Sequence, residues 1–357
     1  MLLSLAPILL LVALLSTSVA LFGSDASYGP NQVALVVAAG ATMLVGWRRG
    51  MSWQQIQDGM VGAITVSIMP MMILLSVGAL IGSWIISGTV PGMIFYGLQL
   101  LNPDIFYAAS AVICALASLS LGSSWTVAGT LAIGLMGIAT TYGLSPAITA
   151  GAIISGAYFG DKLSPLSDTT NLAAAAVGVV LFEHIKNMLW TTLPAFAFAL
   201  LFFAIIGSEG AAAPDDITRI RAALSDQFAI TPWVLSPLVL MLAMIYFKIP
   251  AYPAILLCTL CGAAYGAVFQ SEVVRTMALT AHPESPAPLL QGLWMALFSG
   301  YQSPADMDQL SQLLDKGGLA SMLNTIFLIL TAMTFGGLLD STGILRQLLD
   351  LVLKGVK

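Results

Sequence analysis

The chain has 357 residues, of which 58% are hydrophobic and only 8% charged, with 12 Lys and Arg against 17 Asp and Glu. Soluble domains carry about 25% charged residues, so water is the wrong solvent to assume. The apolar residues come in long runs rather than amphipathic stripes, which excludes most cytosolic enzymes, disordered scaffolds and disulfide-stapled domains. A net charge of −5 with scattered cations offers no basic face for nucleic acid. The composition is that of an all-α polytopic membrane protein embedded in lipid.

The N-terminal run 2–22 has Ser18-Val19-Ala20 near its end, a small-residue pattern like a signal cleavage site. It lacks the positive n-region of a secretory signal and is expected to be a retained helix. A second span, 31–47, ends in Arg48-Arg49, whereas the preceding loop carries only Asp25. The positive-inside bias places the arginines, and with them the N-terminus, in the cytoplasm of a cell (inner) membrane protein.

The run 61–86 is long enough to span and is expected to kink at Pro70, and 88–101 reads as a short or re-entrant element. Two runs, 105–121 and 125–142, are separated only by Gly122-Ser123-Ser124. Such a tight polar break is either a hairpin tip or a helix interrupted inside the membrane. An ordinary span covers 188–207. The stretch 208–227 holds Glu209, Asp215, Asp216, Arg219, Arg221 and Asp226, and is expected to be a solvated loop. Apolar runs at 233–247, 251–269, 288–298 and 319–339 follow.

The expected organisation is N-terminal helices over 1–53, a first repeat over 54–207, a connecting loop over 208–230, and scaffold helices with the start of a second repeat over 231–357. Laying 59–83 over 317–341 without a gap pairs Gly59 with Gly317, Ile68 with Ile326, Gly78 with Gly336, Leu80 with Leu338 and Ser83 with Ser341. The basic residues flanking each run predict opposite directions through the membrane. Inverted repeats of this kind characterise secondary transporters. Chance similarity between two apolar segments is the competing reading.

The residues that carry chemistry lie at 156–171. As helices, 146–159 and 172–181 would be about 21 Å and about 15 Å long, against a hydrocarbon core of about 30 Å. Neither spans alone. The polar break between them, with Pro165 in it, predicts a discontinuous helix lining a cavity. Asp161 and Asp168 offer carboxylate oxygen, and Ser164, Ser167, Thr169, Thr170 and Asn171 offer neutral oxygen. Hard cations take oxygen ligands, and intramembrane carboxylates are rare without a task. The alternative is an aqueous loop in which Asp168 caps the next helix. Cys114, Cys258 and Cys261 sit in apolar stretches, where Cys258-x-x-Cys261 reads as packing before redox. With only two histidines and no ligand spacing, no cofactor is expected.

The run Gly-Asp-Lys-Leu-Ser-Pro-Leu-Ser-Asp-Thr-Thr-Asn-Leu-Ala at 160–173 resembles the signature of the NhaC family of Na⁺/H⁺ antiporters. Residues 78–91, Gly122-Ser123-Ser124-Trp125 and Ala128-Gly129-Thr130 agree with it. The similarity covers 54–195, and is weaker to the end.

The resemblance implies an inverted-repeat secondary transporter of the ion-transporter superfamily, exchanging Na⁺ for H⁺ by alternating access. It puts Asp161, Ser164, Ser167, Asp168, Thr169, Thr170 and Asn171 in the ion site, with Na⁺ at Asp168, Thr169 and Asn171. Ser123 and Ser124 would form a facing hairpin tip, and His184 is a possible proton relay. Family members continue past this length, so the second repeat is expected to be incomplete. Thr126 stands where a smaller residue is expected.

Membrane lipid, Na⁺ and H⁺ are the expected partners, with a homodimer possible. A sodium-coupled organic acid or amino acid antiporter and an inactive truncated fragment are the alternatives. An intramembrane aspartyl protease, suggested by Gly160-Asp161, lacks a second carboxylate from a separate helix.

Overall fold

The structure is a computed structural model describing residues 2–165, 167–206, 214–247, 249–303, 311 and 313–348. It is helical, with no strand among the described residues. Eight of the described helices are long and apolar enough to cross a membrane, which makes this a multi-pass membrane protein. Chain contacts divide it into two compact units, residues 1–75 with 321–357 and residues 76–320.

The first unit is built from α1 (Leu2–Phe22), α2 (Pro30–Arg48), the first part of α3 (Trp53–Ile86) and the last described helix, α15 (Leu323–Ser341). Leu35, Ala38 and Ala39 of α2 pack with Ile56, Phe335 and Leu338 into one apolar cluster. The helix directions follow from the polar contacts. Gln32 Nε2 donates to Asn324 Oδ1 at 3.1 Å, and Arg49 Nη1 donates to the Thr342 carbonyl at 2.6 Å. Hence α2 and α15 run parallel.

The start of α3 instead meets the end of α15. A Cβ at Gly337 would lie 2.4 Å from the Gly59 carbonyl oxygen and 2.5 Å from Ala63 Cβ. So α3 and α15, the two copies of the suspected repeat, run in opposite directions, as an inverted pair requires. The helix α3 passes Pro70 without a break.

The second unit begins with the rest of α3 and continues through α4 (Thr89–Leu100), α5 (Phe106–Leu121), α6 (Ser124–Thr141), α7 (Pro146–Leu163), α8 (Asp168–Val177) and α9 (Leu181–Ile206). Beyond these come α10 (Pro214–Gln227), α11 (Ser236–Tyr246), α12 (Ala251–Phe269), α13 (Ser271–Ala281) and α14 (Pro288–Phe298).

The expected connecting loop is corrected by α10. Ile217, Ile220 and Leu224 recur at helical spacing, Leu224 is fully buried, and the Arg221 guanidinium lies 4.9 Å from the centre of the Phe95 ring. High charge suggested a loop, but the apolar residues recur as the stripe of an amphipathic helix; residues 207–213 lie outside the described residues.

Burial in this unit follows the logic of a bilayer. The outward surface of α9 is apolar, with Trp190, Leu193, Phe198 and Ile205 exposed, while hydroxyl residues such as Ser83, Ser87, Thr89, Ser110, Ser118, Thr130 and Thr149 are buried. Lipid gives no reason to hide leucine, so helices associate through small residues that let backbones approach. One such close approach joins α5 to α7. A Cβ at Gly156 would fall 2.0 Å from the Ala111 carbonyl oxygen, and one at Gly160 would fall 2.3 Å from that of Ala115 and 2.5 Å from the Leu119 nitrogen.

These obstacles are backbone atoms and cannot swing aside, so Gly160→Val is expected to destabilise the fold by about 2–3 kcal/mol or more. Gly151, on the same helix, has nothing within 4 Å of its Cβ position. Gly151→Ala should be neutral or stabilise by up to about 1 kcal/mol. Thermal unfolding in detergent or lipid nanodiscs of the two variants side by side checks the contrast.

Candidate functional site

Two helix breaks meet at the end of the glycine seam. The first separates α5 from α6. Gly122 terminates α5 at φ 68, a left-handed conformation that costs glycine little, and its N–H bonds to the Ser118 carbonyl at 2.7 Å. Ser123 then caps α6, its Oγ accepting from the Thr126 N–H at 3.3 Å. Thr126, the departure noted in the sequence, adds a second bond by donating its Oγ1 proton to Ser123 Oγ at 2.9 Å. The larger residue is accommodated because it locks the cap.

The second break separates α7 from α8. Pro165 provides no N–H and disfavours helical backbone at Ser164, so α7 stops at Leu163. Ser167, rather than Asp168, caps α8, its Oγ accepting from the Thr170 N–H at 3.3 Å and pairing with Thr169 Oγ1 at 2.9 Å. The cap position must precede the first helical residue, and Asp168 is already inside α8. Thr170 closes the break from the other direction. Its Oγ1 shares its proton between the Asp161 and Lys162 carbonyls, both at 3.1 Å. Asn171 Nδ2 donates to the carbonyls of Pro165 at 2.9 Å and Ser167 at 2.7 Å. The two short helices thus form a stapled, discontinuous pair, and neither is among the helices able to cross a membrane alone.

One hydrogen bond joins the breaks. Ser124 Oγ donates to Asp161 Oδ2 at 2.8 Å, with Asp161 7% exposed and Ser124 also buried. Asp161 stands in the last turn of α7, where its own helix presents carbonyl oxygens, an unfavourable place for a negative charge. The first turn of α6, which Ser124 opens, offers the compensating positive end of a helix. The Ser124 hydroxyl uses its proton on the carboxylate and keeps its lone pairs free. A buried carboxylate with hydroxyl and carbonyl oxygen around it can hold a proton or a small hard cation.

Of the residues singled out from the sequence, Asp161, Ser164, Ser167 and Thr170 are buried around the α7–α8 break, with Ser123 and Ser124 at the facing tip. Thr169 and Asn171 are exposed, and the side chain of Asp168 lies outside what the structure describes. His184 occupies the first turn of α9, half-buried, with its Nε2 enclosed and making no hydrogen bond. The sequence reading did not foresee the Gly156/Gly160 seam or the Ser124–Asp161 pair. The Gly-x-x-x-Gly spacing within an apolar helix was the available signal for the first. For the second, the family resemblance implies only that Ser123 and Ser124 face the ion site; no spacing singles out Ser124 with Asp161, because the two residues come from different helices.

Thr170→Val keeps the shape and removes both bonds across the break. A cost of about 1–2 kcal/mol should raise hydrogen–deuterium exchange of the amides in 167–171 by about 5–30-fold. Equal exchange in the two proteins would show that the staple contributes nothing.

Comparison with known proteins gives the site its context. Residues 156–357, more than half of the chain, match the Na⁺/H⁺ antiporter family. A malate-2H⁺/Na⁺-lactate antiporter of Bacillus subtilis (strain 168) is 35% identical over 90% of this chain and 66% of its own length. The Na⁺/H⁺ antiporter NhaC of Alkalihalophilus pseudofirmus is 36% identical over 90% of this chain and 66% of its own. An arginine/ornithine antiporter, ArcD, of Halobacterium salinarum is 30% identical over 99% of this chain and 70% of its own. This chain therefore spans about two thirds of the length of the curated relatives it matches. No solved structure matches it. By the family match and by relatives aligned along most of its length, the chain belongs to the Na⁺/H⁺ antiporter family.

Proposed function

We propose that this protein is a secondary transporter that exchanges Na⁺ for H⁺ across the cytoplasmic membrane, with Asp161 as the coupling carboxylate. The observation that carries the reading is the buried Ser124–Asp161 pair where two helix breaks meet. Asp161 accepts either a proton or a cation, and the exclusion of one by the other couples the two fluxes. Ser124, Ser164, Ser167 and Thr170 supply hydroxyl oxygen, and the ends of α5 and α7 supply carbonyl oxygen. Asp168, Thr169 and Asn171, in the first turn of α8, are the further candidate ligands for Na⁺. The Arg48-Arg49 pair supports a cytoplasmic end for α2, and hence a cytoplasmic N-terminus.

A second reading is favoured by what two relatives are named for. One exchanges malate with protons for lactate with Na⁺, and the other exchanges arginine for ornithine. In that reading the cation site is kept and an organic acid or amino acid is carried as well.

The test is the proton flux in everted vesicles, followed with a pH-sensitive dye after Na⁺ is added. Asp161→Asn keeps the size and hydrogen-bonding reach of the side chain and removes its charge, so exchange should fall by at least about 30-fold. Wild-type exchange in this variant would overturn the assignment. Movement that requires added lactate, malate or arginine would favour the second reading.

Competition at one carboxylate also fixes the sign of the pH dependence. Protons displace Na⁺, so the Na⁺ concentration for half-maximal exchange should rise as the pH is lowered. A half-maximal concentration that is constant with pH would separate the two ions onto different groups.

A further inference from the structure

The first unit carries an apolar groove of about 460 Å³, lined by Gly40, Met43, Leu44 and Trp47 of α2 and by Trp53 and Ile56 of the first turn of α3. The four α2 residues recur at i, i+3, i+4 and i+7, so they share one helix face. From Gly40 to Trp47 the groove runs about 10 Å along the helix axis. Gly40 opens its inner end, since a Cβ there would meet nothing within 4 Å. Ile56 belongs to the cluster around Leu35 and Leu338, so the floor of the groove is fixed by the packed core.

The mouth has the chemistry of a membrane surface. Trp47 and Trp53 both line the groove, yet they are 73% and 63% exposed. Tryptophan collects at headgroup level, where its ring meets hydrocarbon and its N–H stays wet. Arg48 ends α2, four residues beyond Leu44, which sets it at the edge of the groove one turn nearer the surface.

Arg48 has no task inside the protein. A cation at a helix C-terminus commonly binds the last carbonyls, but here main-chain amides take them. The Arg49 N–H bonds to the Val45 and Gly46 carbonyls at 3.1 and 3.0 Å, and the Gly50 N–H to that of Trp47 at 2.9 Å. Arg49 spends its guanidinium on the Thr342 carbonyl and Gln347. Asp58 is held by Gln54 Nε2 at 2.9 Å, on the face of α3 opposite Trp53 and Ile56. The Arg48 side chain is exposed and makes no hydrogen bond or ion pair among the described residues.

We infer that this groove binds an anionic phospholipid, one acyl chain lying from Trp47 to Gly40 and the headgroup set against Arg48. The occupant follows from the two ends. An apolar channel that runs inward from headgroup level has the form of a lipid chain, and an uncommitted cation at its mouth selects a headgroup of net negative charge. The inference does not depend on which ions the protein exchanges.

The test titrates the purified chain, in a neutral detergent, with dioleoyl phosphatidylglycerol or dioleoyl phosphatidylcholine and measures bound lipid by native mass spectrometry. The two lipids share their chains and differ in net charge. Three variants are compared: Arg48→Gln, Gly40→Leu and Arg346→Gln. Arg346 is the control, an exposed cation of the same unit that lines no part of the groove. Gly40→Leu fills the inner end with a residue that favours helix.

The wild type should bind phosphatidylglycerol about 5-fold more tightly than phosphatidylcholine. Arg48→Gln should remove that preference and leave phosphatidylcholine binding unchanged. Gly40→Leu should weaken both lipids by at least about 5-fold, and Arg346→Gln should match the wild type. Equal affinity for the two lipids in the wild type, unchanged binding in Gly40→Leu, or an equal loss of preference in Arg346→Gln overturns the inference. A wild-type dimer that Gly40→Leu splits into monomers also overturns it, because the groove would then belong to a second copy of the chain.

Discussion

The contact on which the rest of the second unit depends is the backbone approach of α5 to α7 at Gly156 and Gly160. In lipid the hydrophobic effect cannot sort one apolar helix from another, so close packing and a few polar contacts have to do it. The two glycines bring α7 against the carbonyls of Ala111 and Ala115. That approach sets the depth at which Asp161 meets α6, and therefore whether the Ser124 hydroxyl reaches the carboxylate. Everything distinctive about the site follows from a seam in which two side chains are missing.

The same contact explains why broken helices are tolerated here. A polar backbone released inside a bilayer must find partners within the protein. At the α7–α8 break Thr170, Asn171 and Ser167 satisfy carbonyls and amides that the helices no longer satisfy themselves. At the α5–α6 break Ser123 and Thr126 do so. The hydroxyl-rich signature therefore has two tasks. Part of it holds the chain in a non-helical path, and in the proposed antiport the remainder offers oxygen to Na⁺. Asn171 and Thr170 are occupied chiefly by the first task, with their protons committed to main-chain carbonyls.

In the first unit a different economy applies. Gln32 and Asn324 bridge α2 and α15 at one end, and Arg49 ties the other end to Thr342 and Gln347. These contacts orient the helices, while the cluster around Leu35 and Leu338 fills the space between them. The antiparallel crossing of α3 and α15 at Gly59 and Gly337 again uses residues without side chains. Both units thus rely on glycine for close crossings, the device that membrane helices use where solvent gives no help.

The sequence by itself determined the membrane class, the run of spans, the breaks at Gly122 and Pro165 and the identity of the polar residues near them. These depend on composition, on length against bilayer thickness and on local backbone chemistry, all of which are carried by neighbouring residues. It also held, unread, the apolar stripe of α10, which high charge disguised as a loop. Tertiary structure alone decided that Asp161 pairs with Ser124 and that Ser118 is enclosed with its hydroxyl unused. Each of these depends on which helix lies against which and at what depth. That choice is made by the fit of backbones across the Gly156–Gly160 seam, a non-local property that no single stretch of sequence contains.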